Sequence, residues 1–124
     1  MIGATIAQVD TPALLLDLDV LDRNIATMAA LAAGTGIALR PHIKTHKNPM
    51  IALRQMAAGA VGVCCAKVSE AEVMVNGGVG DVHVTTPIGT PEKIRRLMAL
   101  ARQAPVAVRE ILSWELQRAE SSDN

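Results

Sequence analysis

Short apolar runs alternate with longer amphipathic stretches along this chain, at a spacing of roughly 22 residues. Residues 13–17 (Ala-Leu-Leu-Leu-Asp) are almost continuously apolar and predict a first strand, covered on both faces as in parallel sheets. Asp19 reads as the cap of a helix over 19–33 that places Leu21, Ile25, Met28 and Leu31 on one face, with Gly34 and Gly36 as its stop. A second strand is expected over 37–41. Asn48 as cap and Pro49 at the first helical position open a helix to about residue 58, closed by Gly59. The third strand falls at 61–65. Ser69 followed by Glu72 reads as a capping box for a helix that Gly77 and Gly78 end. Residues 82–86 predict a fourth strand, and Thr90-Pro91 starts a helix to residue 102 that buries Ile94, Leu97, Met98 and Ala101. A short fifth strand follows at 105–108, then a helix over 109–120 around Ile111, Leu112, Trp114 and Leu116.

Strand and helix in strict alternation is the pattern of βα units on a parallel sheet. Composition fits such a fold: half of the 124 residues are hydrophobic and 19% are charged. The apolar residues are mostly small, with one Trp and neither Phe nor Tyr, so large core anchors are few. Formal net charge is zero, so no overall field favours nucleic acid or an anionic membrane surface. No run reaches the ~18 apolar residues of a membrane span. The N-terminus contains Asp10, lacks a basic region and shows no cleavage-like site after an apolar core, unlike a secretion signal. Cys64 and Cys65 are adjacent, which makes no disulfide framework. Together these features predict a cytoplasmic protein.

The chemistry concentrates in Arg40-Pro41-His42-Ile43-Lys44-Thr45-His46-Lys47, between the second strand and the next helix. In α/β sheets and barrels, the carboxyl ends of strands carry ligands and catalytic groups. A lysine there can be desolvated, which frees its amine to attack a carbonyl carbon. A basic strand-to-helix loop with solvated charges is the plainer reading of the same residues.

Three stretches occur together in order: Thr11-Pro12-Ala13-Leu14-Leu15-Leu16-Asp17, the octapeptide 40–47, and Gly62-Val63-Cys64-Cys65-Ala66-Lys67-Val68-Ser69-Glu70-Ala71-Glu72. In this the chain resembles the N-terminal portion of the D-threonine aldolase and D-serine dehydratase-like family. These are fold-type III pyridoxal-phosphate enzymes with an alanine racemase-like barrel, and the resemblance is strongest to the 3-hydroxy-D-aspartate aldolase branch. It implies an α/β fold made of about half of a TIM-type barrel over residues 1–108, with a divergent helical and polar tail over 109–124. It implies pyridoxal 5′-phosphate as cofactor, joined to Lys44 as a Schiff base, with His42, Arg40, Ala66 and Thr86 as further cofactor contacts. It implies a lyase acting on D-β-hydroxy amino acids such as D-threonine, D-serine or 3-hydroxy-D-aspartate. The divalent metal of full-length relatives lies in a later domain, so no metal ligands are expected here. A complete barrel needs ~250 residues, so the chain is expected to be inactive alone, or to work with a second copy or a partner chain that completes the barrel. A non-catalytic cofactor-binding protein and an interaction fragment are the alternatives.

Other residues carry weaker signals. His42 and His46 are four apart, a zinc spacing on a continuous helix, but Pro41 and Pro49 argue against one, leaving hydrogen bonding and orientation of Lys44. Cys64 and Cys65 sit in a strand and must face opposite ways, as small core residues. Ala66 stands where some relatives carry a glutamine, so any cofactor contact there lacks a side-chain donor. Thr85, Thr86 and His83 approach the end of the fourth strand, and no glycine-rich phosphate loop is present.

Overall fold

The computed structural model describes residues 3–108. Seven regular elements follow in order: α1 (Leu18–Thr35), α2 (Pro49–Ala57), β1 (Val63–Cys65), α3 (Val68–Asn76), β2 (Val82–Val84), α4 (Pro91–Ala101) and β3 (Val106–Val108). Two single 3-10 turns precede them or lie between them, at Ile6–Gln8 and Ile43–Thr45. The strands form one parallel sheet in the order β1-β2-β3, with Val63 opposite Val82 and Val82 opposite Val106. Parallel neighbours need a crossover, and α3 and α4 supply the two crossovers.

Period-two alternation gives the sheet two unlike faces. Val63, Cys65, Val82 and Val84 are buried against the helices, together with Ala52, Ala71, Met74, Ile94, Leu97 and Leu100. Cys64 and His83, in register on the other face, are only half-buried. The helix starts follow local chemistry. Asn48 Oδ1 accepts the Met50 N–H at 2.8 Å, and Thr90 caps α4 through the Lys93 N–H. In both helices proline takes a first-turn position, where a missing N–H costs nothing.

Several expectations are corrected. Residues 13–17 form no strand; Leu14, Leu15 and Leu16 are exposed, because an apolar run becomes a strand only where a neighbouring edge accepts its hydrogen bonds. The run at 37–41 lies along the free edge of β1, with Val61 N–H to Leu39 O at 2.9 Å and Cys64 N–H to Pro41 O at 2.7 Å. Only His42 forms a ladder pair there, with Cys64, since Pro41 has no N–H to return. The expected α1 stripe is not buried: Leu21 and Ile25 are half-covered, and Met28 and Leu31 are exposed. Asp17, not Asp19, caps that helix, accepting the Val20 N–H at 3.0 Å; Gly34 is absorbed into it and Gly36, at φ 69°, ends it. On α4 the third buried residue is Leu100, while Met98 and Ala101 face outward. The predicted helix over 109–120 lies outside the described residues.

Between α1, α2 and the 39–41 segment lies an apolar groove of about 290 Å³, lined by Leu21, Ile25, Met28, Leu39, Pro41 and Ala58. The Arg54–Asp22 ion pair, at 2.7 Å, ties α2 to α1 across the surface. Among the described residues, no helix is long and apolar enough to cross a membrane.

Candidate functional site

The basic octapeptide turns at the carboxyl end of the sheet. Ile43 is fully buried and anchors it; its carbonyl accepts the N–H of His46 at 3.1 Å and of Lys47 at 2.7 Å. His42 caps the turn, its Nδ1 accepting the Lys44 N–H at 3.2 Å, while its Nε2 lies 3.3 Å from Thr85 Oγ1. The ring thus links the Lys44 turn to the residue after β2. Thr85 in turn donates its hydroxyl to Cys65 O at 3.1 Å. Lys44 is exposed and has no ion pair among the described residues. The burial that would activate it is therefore not supplied by these residues.

His46 plays a matching local part, its Nδ1 accepting the Asn48 N–H at 3.0 Å. Each histidine thus caps its own turn through Nδ1. Among the described residues, no cluster of three metal-ligating side chains forms.

Arg40 goes elsewhere. Its guanidinium makes a two-pronged pair with Asp81, at 2.8 and 3.1 Å, before the start of β2 and so at the amino end of the sheet. The hydrogen bond to Asp81 holds Arg40 above its ordinary pKa. The pair closes over Gly62, where an added Cβ would fall 2.2 Å from Arg40 Nη1. Arg40 precedes His42 and the Lys44 turn by only two and four positions, yet it is committed at the opposite end of the sheet from Lys44.

Ala66 and Thr86 do come together. They line a cavity of about 360 Å³ at the carboxyl ends of β1 and β2, with Lys67, Ser69, Lys93 and Arg96. Arg96 is held by Glu72, whose carboxyl it keeps below the usual range. Ala66 presents no side-chain donor, and its N–H is already given to Glu70 Oε2 at 2.8 Å.

Glu70 is the residue that the sequence reading overlooked. It is buried, accepts the N–H groups of Ala66 and Lys67, and pairs with Lys47 Nζ at 3.4 Å. Burial alone would raise its pKa; the hydrogen bonds from Ala66, Lys47 and Lys67 more than offset that and leave it lowered. The helix-start signal was legible but sits two residues earlier than Ser69–Glu72 suggested. A lysine cannot cap through its ammonium, so Glu70 reaching back from the third helical position is the whole device. Asp81 and Gly62 were also missed, because nothing local marks a pairing across 41 positions. Burial pushes the Cys65 thiol up to about 12 and raises Cys64 less, so neither is poised as a nucleophile.

No family model matches the chain. Comparison with individual proteins is more informative, and the homologues are D-amino acid aldolases and dehydratases. A D-threonine aldolase of Arthrobacter sp is 48% identical over 106 residues, which is 86% of this chain and 28% of the relative. A 3-hydroxy-D-aspartate aldolase of Paracoccus denitrificans is 45% identical over 101 residues, 81% of this chain and 26% of the relative. The D-threonine aldolase structure from Filomicrobium marinum superposes with a TM-score of 0.81 at 53% identity, over 83% of this chain and 28% of that one. D-serine dehydratase is also among the homologues. The chain corresponds to the N-terminal portion of the D-threonine aldolase and D-serine dehydratase-like family. It spans about a quarter of the length of the curated relatives it matches.

Proposed function

We propose that this chain is the N-terminal piece of a pyridoxal-phosphate-dependent lyase that cleaves D-β-hydroxy amino acids, with Lys44 as the cofactor lysine. One observation carries the reading. In a chain homologous to D-threonine aldolases, Lys44 is the turn lysine that stands exposed, and unpaired among the described residues, at the carboxyl edge of a parallel sheet. On this reading the three strands and the 39–42 segment are part of a TIM-type barrel, residues 1–108 are its first half, and 109–124 are a divergent tail.

The residues present fit the covalent end of the cofactor. Lys44 Nζ would hold it, with His42 fixing the turn through the Lys44 N–H. Ala66 and Thr86 would approach it from the neighbouring strand ends. Ala66 would do so by its methyl or carbonyl, since its N–H is spent on Glu70. Arg40 would act at a distance, as the positioning cation that locks the other end of its segment. Bound there, pyridoxal phosphate supplies an electron sink for the substrate's Cα. Lys44 Nζ would also be placed to accept the α-proton in a dehydration. The three relatives whose identities are given above are all aldolases, which favours Cα–Cβ cleavage over loss of the β-hydroxyl.

Activity should require the rest of the barrel, because proximity in a positioned site is worth ~7–11 kcal/mol and an isolated lysine has none of it. The test is a fusion of this chain to the remaining three quarters of the Arthrobacter D-threonine aldolase. It is assayed with D-threonine, D-serine and 3-hydroxy-D-aspartate, beside its Lys44→Ala variant. Aldehyde release from D-threonine by the fusion, abolished in Lys44→Ala, is the expected result. Equal turnover with Lys44→Ala would remove Lys44 from the role. Turnover by the 124-residue chain alone would overturn its dependence on a completing partner. Dehydration of D-serine without aldol cleavage would make the protein a dehydratase instead.

A further inference from the structure

The two lysines of the turn lie three positions apart and carry the same amine, yet their surroundings differ. Lys44 is unpaired among the described residues, whereas Lys47 Nζ sits 3.4 Å from Glu70 Oε1. Glu70 is 7% exposed, and its other oxygen accepts the N–H groups of Ala66 at 2.8 Å and Lys67 at 3.3 Å. A carboxylate held on two backbone donors is a fixed anchor, unlike a surface acid that swings between partners. Lys47 is fixed from its own side too. It has φ 49°, the only positive value at a non-glycine among the described residues, and its N–H closes onto Ile43 O at 2.7 Å. Backbone and side chain of Lys47 are therefore both committed.

We propose that Glu70 is a positioning residue that decides which lysine of the turn reacts with a carbonyl ligand. It withholds Lys47 and ties the Lys44 turn to the Ala66 turn. The proposal deepens the reading above and rests on it for the role of Lys44; the withholding of Lys47 stands by itself. In the reaction at stake, an amine nitrogen bonds to a carbonyl carbon and the carbonyl oxygen departs as water. The attacking nitrogen needs a free lone pair. An ammonium paired with a seated carboxylate must give up both its proton and its partner first. An unpaired lysine gives up only the proton.

The experiment uses the 124-residue chain and Glu70→Gln, whose amide oxygen can still accept the Ala66 and Lys67 N–H groups. Trace acetic anhydride at pH 8 with peptide mapping reads each lysine without involving the cofactor. Lys47 should acetylate more slowly than exposed Lys93, and its rate should rise about threefold in Glu70→Gln while Lys44 and Lys93 hold steady. In wild type, 1 M salt should raise Lys47 in the same direction, since screening weakens a partly exposed pair. This arm needs no variant to fold. An unchanged Lys47 in either arm overturns the proposal. Limiting pyridoxal phosphate with borohydride then gives the labelling ratio of Lys44 to Lys47, which should fall in Glu70→Gln. If acetylation behaves as expected but the fusion described above turns over equally well with Lys44→Ala, the lyase reading of Lys44 falls and the withholding of Lys47 stands.

Discussion

His46 carries the clearest pH signature of any single residue. Burial holds its pKa below the ordinary histidine value. Nδ1 already accepts the Asn48 N–H, while the buried Nε2 and the nearby Gln55 Oε1 make no well-formed hydrogen bond among the described residues. Burial outweighs the weak help that Gln55 gives the charged ring. The unfolded chain takes up a proton near pH ~6.5, and the folded chain resists it. Below that pH the unfolded state binds more protons, so stability is complete above it and falls as pH drops through the folded value. The urea midpoint should be level above about pH 7 and decline toward pH 5. His46→Gln should flatten that decline. Glu70, with its pKa also lowered, acts in a separate and more acidic window, losing its contribution below the ordinary carboxylate value. The cysteines offer a second residue-scale check. With Cys65 buried and its thiol pushed up to about 12, iodoacetamide on the folded chain should modify Cys64 first and leave Cys65 essentially untouched.

At the scale of elements, the weak points are where segments distant in sequence meet. Gly62 has φ 156°, and a methyl there would meet Arg40 Nη1 at 2.2 Å and Asp81 O at 2.8 Å. Gly62→Ala should cost roughly 2–4 kcal/mol in chemical denaturation, by driving the 39–42 segment off β1. Gly80→Ala is the control: open space surrounds that position, so the change should stay within about 0.5 kcal/mol. The start of α2 is simpler. Asn48→Ala removes the cap on the Met50 N–H and should cost about 1 kcal/mol, with little effect on lysine reactivity at Lys44.

At the scale of the molecule, the described residues leave apolar surface without a neighbour. Leu14, Leu15, Leu31 and Ile37 are each at least 60% exposed, and an open groove separates α1 from α2. One edge of β3 has no strand beside it among the described residues. Unpaired edges and contiguous apolar patches drive association. The chain should therefore show concentration-dependent association by light scattering. Leu14→Lys with Leu15→Lys should shift it toward monomer without altering its circular dichroism. A strict monomer at high concentration would count against the half-barrel reading.

Much of the fold was legible because its signals are local. Asn48-Pro49 and Thr90-Pro91 each announce a helix within two or three residues, and alternating Val, Cys and His mark β1 and β2 by their period. The octapeptide marked the turn, and its histidines could be read as orienting groups from the prolines around them. Strand 13–17 and the buried stripe of α1 failed for one reason: apolar pattern states what a segment could bury, while burial depends on a surface arriving from elsewhere. The same limit hid the pairings. Arg40 finds Asp81 across 41 positions, and Lys47 finds Glu70 only once β1 and α3 bring the two turns together. By itself the sequence determined the alternation of strand and helix from β1 onward, the starts of α2 and α4, and the residues offered at the turn. The tertiary structure alone decided which cation is committed to which carboxylate, since charge and hydrogen-bond partners are set by distance in space.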